Sequence, residues 1–137
     1  MTIKIGIKEL CANAEKQIET ITVDDALTLY QDDDVMVVDI RDIRELYRDG
    51  KIPGAYHAPR GMLEFWVDPE SPYHKPIFLS GKRLIFYCGG GMRSALATLA
   101  VQEMGLENLC HIEGGFAAWL KAGHTIESVE KRKNITQ

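Results

Sequence analysis

The stretch Leu84-Ile85-Phe86-Tyr87-Cys88-Gly89-Gly90-Gly91-Met92-Arg93-Ser94 decides the fold of this chain. Its first four residues are apolar or aromatic, which is typical of a strand buried in a core. The residues at 93–104 predict a helix, and Gly105 ends it. The stretch therefore predicts a strand, a tight loop and a helix, with Cys88 at the carboxyl end of the strand.

The segments on either side of this unit alternate between strand and helix patterns. Further strands are predicted at residues 35–40, 56–58 and 109–112, and further helices at 24–30, 41–49 and 116–121. Such alternation indicates an α/β domain around a mainly parallel sheet. Ligands bind at the carboxyl ends of the strands in such sheets, and Cys88 is expected at one of these ends.

Length, composition and charge narrow the classes of function. A chain of 137 residues with 45% hydrophobic and 26% charged residues is typical of one globular domain. This domain is predicted at residues 21–126, after a leading segment at 1–20 with a helix at 8–19, and before a tail at 127–137. The net charge of −4 argues against a nucleic-acid partner. Without a signal peptide or a long apolar run, no membrane partner and a cytoplasmic location are expected.

Cysteine and histidine spacings argue against disulfides and metals. Cys11, Cys88 and Cys110 are an odd number and show no C-x-x-C spacing, so neither a disulfide framework nor a zinc site is expected. The four histidines lack the spacing of metal ligands. A free cysteine is then either a small buried apolar residue, as expected for Cys110, or a reactive group.

The residues after Cys88 favour the reactive interpretation. Glycines at 89–91 allow unusual backbone conformations, and successive amide N–H groups around one point form a nest that binds an anion. The helix N-terminus adds its dipole, Arg93 a positive charge and Ser94 a hydroxyl donor. These groups stabilise a thiolate, which is the nucleophilic form of cysteine. The alternatives are a structural cysteine before an ordinary turn, or a phosphate-binding loop, whose GxxxxGK[ST] pattern is absent.

Three motifs follow one another along the chain. They are Asp39-Ile40-Arg41 with Gly50-Lys51-Ile52-Pro53-Gly54-Ala55, then Cys88-x-x-Gly91-x-Arg93-Ser94, then Gly114-Gly115-Phe116-Ala117-Ala118-Trp119. Together they resemble the signatures of single-domain rhodanese-like sulfurtransferases, over about residues 20–125. The sequence departs from the family pattern at Lys51, where the family usually has histidine, and at residues 59–83, which are longer than a minimal domain requires.

The resemblance implies a fold and a mechanism. The fold would be a rhodanese-like domain with a five-stranded, mainly parallel sheet and helices on both faces. The Cys88 thiolate would take the outer sulfur of a donor such as thiosulfate and pass it from a persulfide to cyanide, a thiol or a sulfur-carrier protein. No metal or organic cofactor is implied. The residues expected to bind the anion are Gly89, Gly90, Gly91, Met92, Arg93 and Ser94, with Arg60 as a further contact.

Other functions remain open at this point. Rhodanese-like domains also serve as non-catalytic binding or regulatory modules, although such modules often lack the cysteine. Related cysteine-dependent phosphatases use a C-x5-R loop, and an arsenate reductase on the same scaffold is a further alternative. Here only four residues separate Cys88 from Arg93, and a shorter loop suits one sulfur atom better than a tetrahedral phosphate.

Overall fold

The structure is a computed structural model that describes residues 1–131, which form one parallel sheet with helices on both faces. The strands are β1 (Glu19–Ile21), β2 (Val35–Asp39), β3 (Tyr56–His57), β4 (Arg83–Tyr87) and β5 (Leu109–Ile112). The α-helices are α1 (Ile7–Glu15), α2 (Val23–Leu29), α3 (Ile43–Asp49), α4 (Leu63–Val67), α5 (Met92–Glu103) and α6 (Gly115–Lys121). Two short 3-10 helices, Arg60–Met62 and Pro76–Leu79, lie between β3 and β4.

β4 lies in the middle of the sheet, which explains its apolar sequence. The strand order is β1-β5-β4-β2-β3, and each neighbouring pair is parallel. Because β4 has a strand on each side and helices over both faces, residues 84–87 are all buried. The predicted α/β fold with its five-stranded parallel sheet is confirmed, and Cys88 lies at the carboxyl edge of the sheet.

The side chains of β4 alternate between two apolar layers. Leu84 and Phe86 pack in the layer formed with α4 and α5. Ile85 and Tyr87 pack in the opposite layer, with α2 and α6. The long segment 59–83 belongs to the first layer, to which it contributes Leu63, Val67 and Phe78. This segment is therefore a structural part of the domain that covers one face of the sheet.

The N-terminal segment differs from its prediction. α1 ends at Glu15 and the chain enters β1 at Glu19, so the helix expected at 8–19 is shorter and a strand spans the boundary expected after residue 20. β1 has three residues, and only Ile21 is buried, so it lacks the apolar pattern that identifies a strand. α1 packs against α5 and buries Cys11 and Ala14.

Local signals at the ends of helices agree with the structure where they were recognised. Thr22 is the N-cap of α2, since its Oγ1 accepts the N–H of Asp25 at 3.2 Å. At the C-terminal side, the backbones of Lys51 and Glu127 pair through two hydrogen bonds of 2.9 Å.

Residues 132–137 of the expected tail lie outside the described residues. None of the helices within residues 1–131 is long and apolar enough to cross a lipid bilayer.

Candidate active site at Cys88

Cys88 sits at the end of β4 with only 1% of its surface exposed. The loop after it turns the chain into α5, whose N-cap is Gly91 with a φ of 101°. A side chain at Gly91 would be strained by this left-handed conformation and would come within 3.2 Å of the Gly114 nitrogen. The glycine at this position therefore allows the loop to fold tightly around the sulfur.

Three polar groups converge on Cys88 Sγ. The backbone N–H groups of Gly91 and Ser94 donate to the sulfur at 3.2 Å and 3.3 Å. The Ser94 hydroxyl oxygen lies 3.5 Å from the same sulfur. The N-terminus of α5 adds its positive dipole end. We call these two amides and the hydroxyl the sulfur nest; they are arranged to stabilise negative charge on Sγ.

A cavity of about 410 Å³ opens over the sulfur nest. Its lining consists of Ile7, Cys88, Gly90, Met92, Arg93 and Leu96. Predicted loop residues thus either contact the sulfur or line this cavity, except Gly89, whose carbonyl accepts a backbone bond from Ala117 at 2.9 Å. A larger cavity of about 770 Å³ lies near the amino ends of β4 and β5, but no cysteine or histidine lines it. The chemistry therefore points to the smaller cavity.

Arg93 is held by a carboxylate at the edge of the site. Its guanidinium donates to both carboxylate oxygens of Glu45, at 2.8 Å and 3.0 Å. These hydrogen bonds keep the pKa of Glu45 below its ordinary value, so the pair is ionised. The positive charge expected to face an anion is thus balanced by a residue that sequence reasoning missed, because 48 positions separate the partners.

Arg60 does not share this location. Its side chain forms an ion pair of 2.6 Å with Glu64, one turn further along, and it does not line the cavity over Cys88. Asp39 and Arg41, at the end of β2, form a fully buried pair of 2.7 Å. Arg41 also donates to the carbonyl of Gly50 at 2.7 Å, which ties β2 to the end of α3. These contacts indicate a structural role for the buried pair.

The turn at Gly114 and Gly115 contacts the backbone of the Cys88 loop and holds it in place. The N–H of Phe116 donates to the carbonyl of Cys88 at 2.8 Å. Gly115 has a φ of +57°, and a Cβ there would collide with that same carbonyl. The closing motif of the sequence therefore holds the Cys88 loop in position, and only glycine fits at its second residue.

The other cysteines have different surroundings. Cys11 of α1 lies beside the site, with its Sγ 3.6 Å from the carbonyl of Met92. Burial raises the pKa of the Cys11 thiol, and the charges of Glu15 and Cys88 add to this effect. Cys110 is buried within β5, and burial raises the pKa of its thiol as well. Both thiols are thereby kept protonated and weakly nucleophilic.

The fold and this site define a class of α/β proteins in which a cysteine follows a central parallel strand and lies in a loop before a helix. Within that class, the sequence model of the rhodanese-like domain matches residues 22–122. The chain belongs to the family of rhodanese-like domain proteins.

Named relatives include sulfurtransferases. The thiosulfate sulfurtransferase of Pseudoalteromonas translucida is 31% identical over 99 residues, which are 72% of this chain and 86% of that protein. Thiosulfate sulfurtransferase/rhodanese-like domain-containing protein 3 of Mus musculus is 28% identical over 105 residues, 73% of this chain and 67% of that protein. Across these two and two further curated relatives with other names, the match spans 41% to 86% of their length.

A solved structure from Rhodopseudomonas palustris carries a different name. It is 56% identical to this chain, with a TM-score of 0.89, and the match covers 93% of this chain and 98% of that one. That protein is named as one of unknown function and a possible tyrosine phosphatase. The names of these relatives thus point to two different reactions, sulfur transfer and hydrolysis of a phosphate ester.

Replacing Gly115 by alanine tests whether the turn supports the sulfur nest. We expect Gly115→Ala to lower the free energy of unfolding by about 3 kcal/mol or more, because a positive φ and a backbone collision act together. Urea denaturation measures this change. Gly123→Ala is the matched control, since Gly123 has a φ of +79° with open space around it. It should cost about 1 kcal/mol; equal losses in the two variants would contradict this account.

Proposed function

We propose that this protein is a sulfurtransferase that moves a sulfane sulfur from a donor to a thiophilic acceptor through a persulfide on Cys88. The observation that carries the proposal is the convergence of the Gly91 and Ser94 amides on a buried Cys88 Sγ at the end of the central strand. Membership of the rhodanese-like domain family, with relatives named thiosulfate sulfurtransferase, supports it.

The reaction has two displacement steps. The Cys88 thiolate attacks the outer sulfur of thiosulfate, the sulfur–sulfur bond of the donor breaks, and sulfite leaves with the bonding electron pair. The product is Cys88–S–S⁻. An acceptor such as cyanide or a thiolate then attacks the terminal sulfur, and the Cys88 thiolate leaves. Atoms and charge balance without a cofactor, because each step exchanges one nucleophile for another.

The residues of the site divide this work. The sulfur nest stabilises the thiolate before the first step and again when it leaves in the second. The terminal sulfur of the persulfide extends into the cavity of about 410 Å³, whose lining includes Gly90 and Met92. Donor and acceptor enter through the same cavity, in turn. A small sulfur donor and a thiol or sulfur-carrier protein are the partners, in a reducing compartment such as the cytoplasm.

The second candidate function is hydrolysis of a phosphate ester, because of the name of the Rhodopseudomonas palustris protein. Two features of this site argue against it. The four-residue spacing between Cys88 and Arg93 gives a smaller loop than C-x5-R. The Arg93 guanidinium that would bind the phosphoryl group is occupied by both oxygens of Glu45. The single sulfur atom that stays on Cys88 needs less room and less positive charge than a phosphoryl group bound to the nucleophile.

Assays with matched variants separate these functions. We expect the wild type to form thiocyanate from thiosulfate and cyanide and to leave p-nitrophenyl phosphate intact. Cys88→Ser should abolish thiocyanate formation because it removes the sulfur carrier, whereas Cys110→Ser, the control at another buried thiol, should keep it. Hydrolysis of the phosphate ester that depends on Cys88, without sulfur transfer, would establish the phosphatase instead. A folded wild type that performs neither reaction would indicate a binding module.

The ion pair between Arg93 and Glu45 should limit the affinity for dianionic donors. Glu45→Gln leaves Arg93 with an unbalanced charge at the cavity, while glutamine can still accept the N–H of Asp42 at the start of α3. We expect KM for thiosulfate to fall by about threefold at low salt. Glu64→Gln, which breaks the similar pair with Arg60 away from the cavity, is the control and should leave KM unchanged. An unchanged or higher KM in Glu45→Gln would contradict this assignment.

A further inference from the structure

A chain of polar side chains leads from Cys88 into the interior of the domain. Cys88 Sγ lies 3.5 Å from Ser94 Oγ, and Ser94 Oγ lies 2.9 Å from Nδ1 of His111. Ser94 stands in the first turn of α5, and His111 belongs to β5, the strand next to β4. The three side chains thus form a row that starts at the sulfur nest and ends at His111 in β5.

The far side of His111 faces a carboxylate. The imidazole is completely buried, and among residues 1–131 its Nε2 has no hydrogen-bond partner. The nearest acidic group is Glu15 at the end of α1, whose Oε1 lies 3.6 Å from Nε2. The other ionisable groups that bear on this imidazole are Glu113, which follows β5, and Cys88, through Ser94.

These contacts set the direction of the hydrogen bonds. A carboxylate facing Nε2 favours a proton on that nitrogen, and Nδ1 of the neutral ring is then an acceptor. The Ser94 hydroxyl donates to Nδ1 at 2.9 Å in preference to the carbonyl of Gly91 at 3.3 Å, which leaves its oxygen lone pairs free to accept the S–H of Cys88. Burial lowers the pKa of His111, so the ring is neutral while Cys88 is a thiol, and its Nδ1 lone pair is free to accept the Ser94 hydroxyl.

We propose that His111 is a positioning residue that takes up the proton of Cys88 through the hydroxyl of Ser94. The S–H bond breaks as a new O–H bond forms on Ser94, and the original O–H bond breaks as an N–H bond forms at Nδ1. No electrons are exchanged with another molecule. The product is a thiolate that accepts the Ser94 hydroxyl and an imidazolium whose Nε2–H faces Glu15. This proposal rests on the proposed role of Cys88 as the nucleophile.

This proton transfer from Cys88 through Ser94 to His111, which we call the relay, explains how a cysteine that is 1% exposed ionises. Its proton does not have to reach solvent, because it needs to move only to the next polar group. The positive charge on His111 is balanced by the thiolate on one side and by Glu15 on the other, which offsets the cost of a buried charge. The same imidazolium would stabilise the persulfide anion in the donor-loaded protein.

Alkylation of Cys88 against pH tests the relay. Iodoacetamide modification is followed on the Cys88 peptide by mass spectrometry, so Cys11 and Cys110 do not interfere. His111→Asn can accept the Ser94 hydroxyl but cannot take up the proton. We expect it to raise the pH of half-maximal alkylation by about one unit, a tenfold change in reactivity at lower pH. Ser94→Ala should also raise it, and the double variant should add nothing beyond Ser94→Ala because both break one chain.

His124→Asn is the matched control, because Nε2 of His124 is also buried, without a partner in the described part of the chain, and 3.6 Å from a carboxylate, that of Asp24. It is not connected to Cys88 and should leave the alkylation profile unchanged. A folded His111→Asn with the wild-type profile would overturn the relay.

A second measurement needs no substitution at His111. Imidazole ¹⁵N shifts report the protonation of His111 in the wild type and in Cys88→Ser. By reciprocity of the coupling, the pH midpoint of His111 should be higher by about one unit or more in the wild type, where a thiolate can form. Identical titrations would overturn the proposal. Neither measurement uses a sulfur donor, so failure of the relay is distinguishable from failure of sulfur transfer.

Discussion

The position of the Cys88 carbonyl is the constraint on which the rest of the site depends. The N–H of Phe116 holds this carbonyl at 2.8 Å, and the left-handed turn at Gly114 and Gly115 brings that N–H close enough to do so. With the carbonyl held by Phe116, the chain turns at Gly91 so that the amides of Gly91 and Ser94 face Sγ. A motif more than 20 residues further along thus determines the geometry of the sulfur nest, which explains why glycines recur in two distant parts of the sequence.

The charges around the nest are nearly balanced. Arg93 is neutralised by Glu45, and the cavity walls include the apolar side chains of Ile7, Met92 and Leu96. On the cavity side, stabilisation of a sulfur anion therefore depends mainly on hydrogen bonds and on the helix dipole, which act over short distances. Such a site suits a single charged sulfur atom at one point.

The sequence predicted the parts of the fold that depend on local patterns. The strand at 109–112 is found with the same bounds, and the helix expected at 93–104 is observed at Met92–Glu103. Local signals did not predict β1, whose three residues expose two side chains. A short edge strand like this one is defined by its pairing with β5, which its own sequence pattern does not show. The family resemblance is confirmed by the match to the rhodanese-like domain, and the fold class is confirmed by the five-stranded sheet.

For the site, the sequence predicted the loop but not its neighbours. Glu45 and Arg93 are 48 positions apart, and Ser94 and His111 are 17 positions apart. Neither pair can therefore be predicted from the spacing of residues in a short motif. Arg60 illustrates the opposite case, since the sequence suggested a contact with the anion, whereas the structure pairs it with Glu64. Contacts between side chains that are distant in sequence depend on how strands and helices pack against one another. Local sequence patterns do not give that packing.

The central claim, that the sulfur nest holds a transferable sulfur on Cys88, is tested most directly by intact-protein mass spectrometry. Treatment with thiosulfate should add about 32 Da, one sulfur atom, and peptide mapping should place it on Cys88. Cyanide should remove it. An absence of the adduct, or an adduct that persists in Cys88→Ser, would contradict the account.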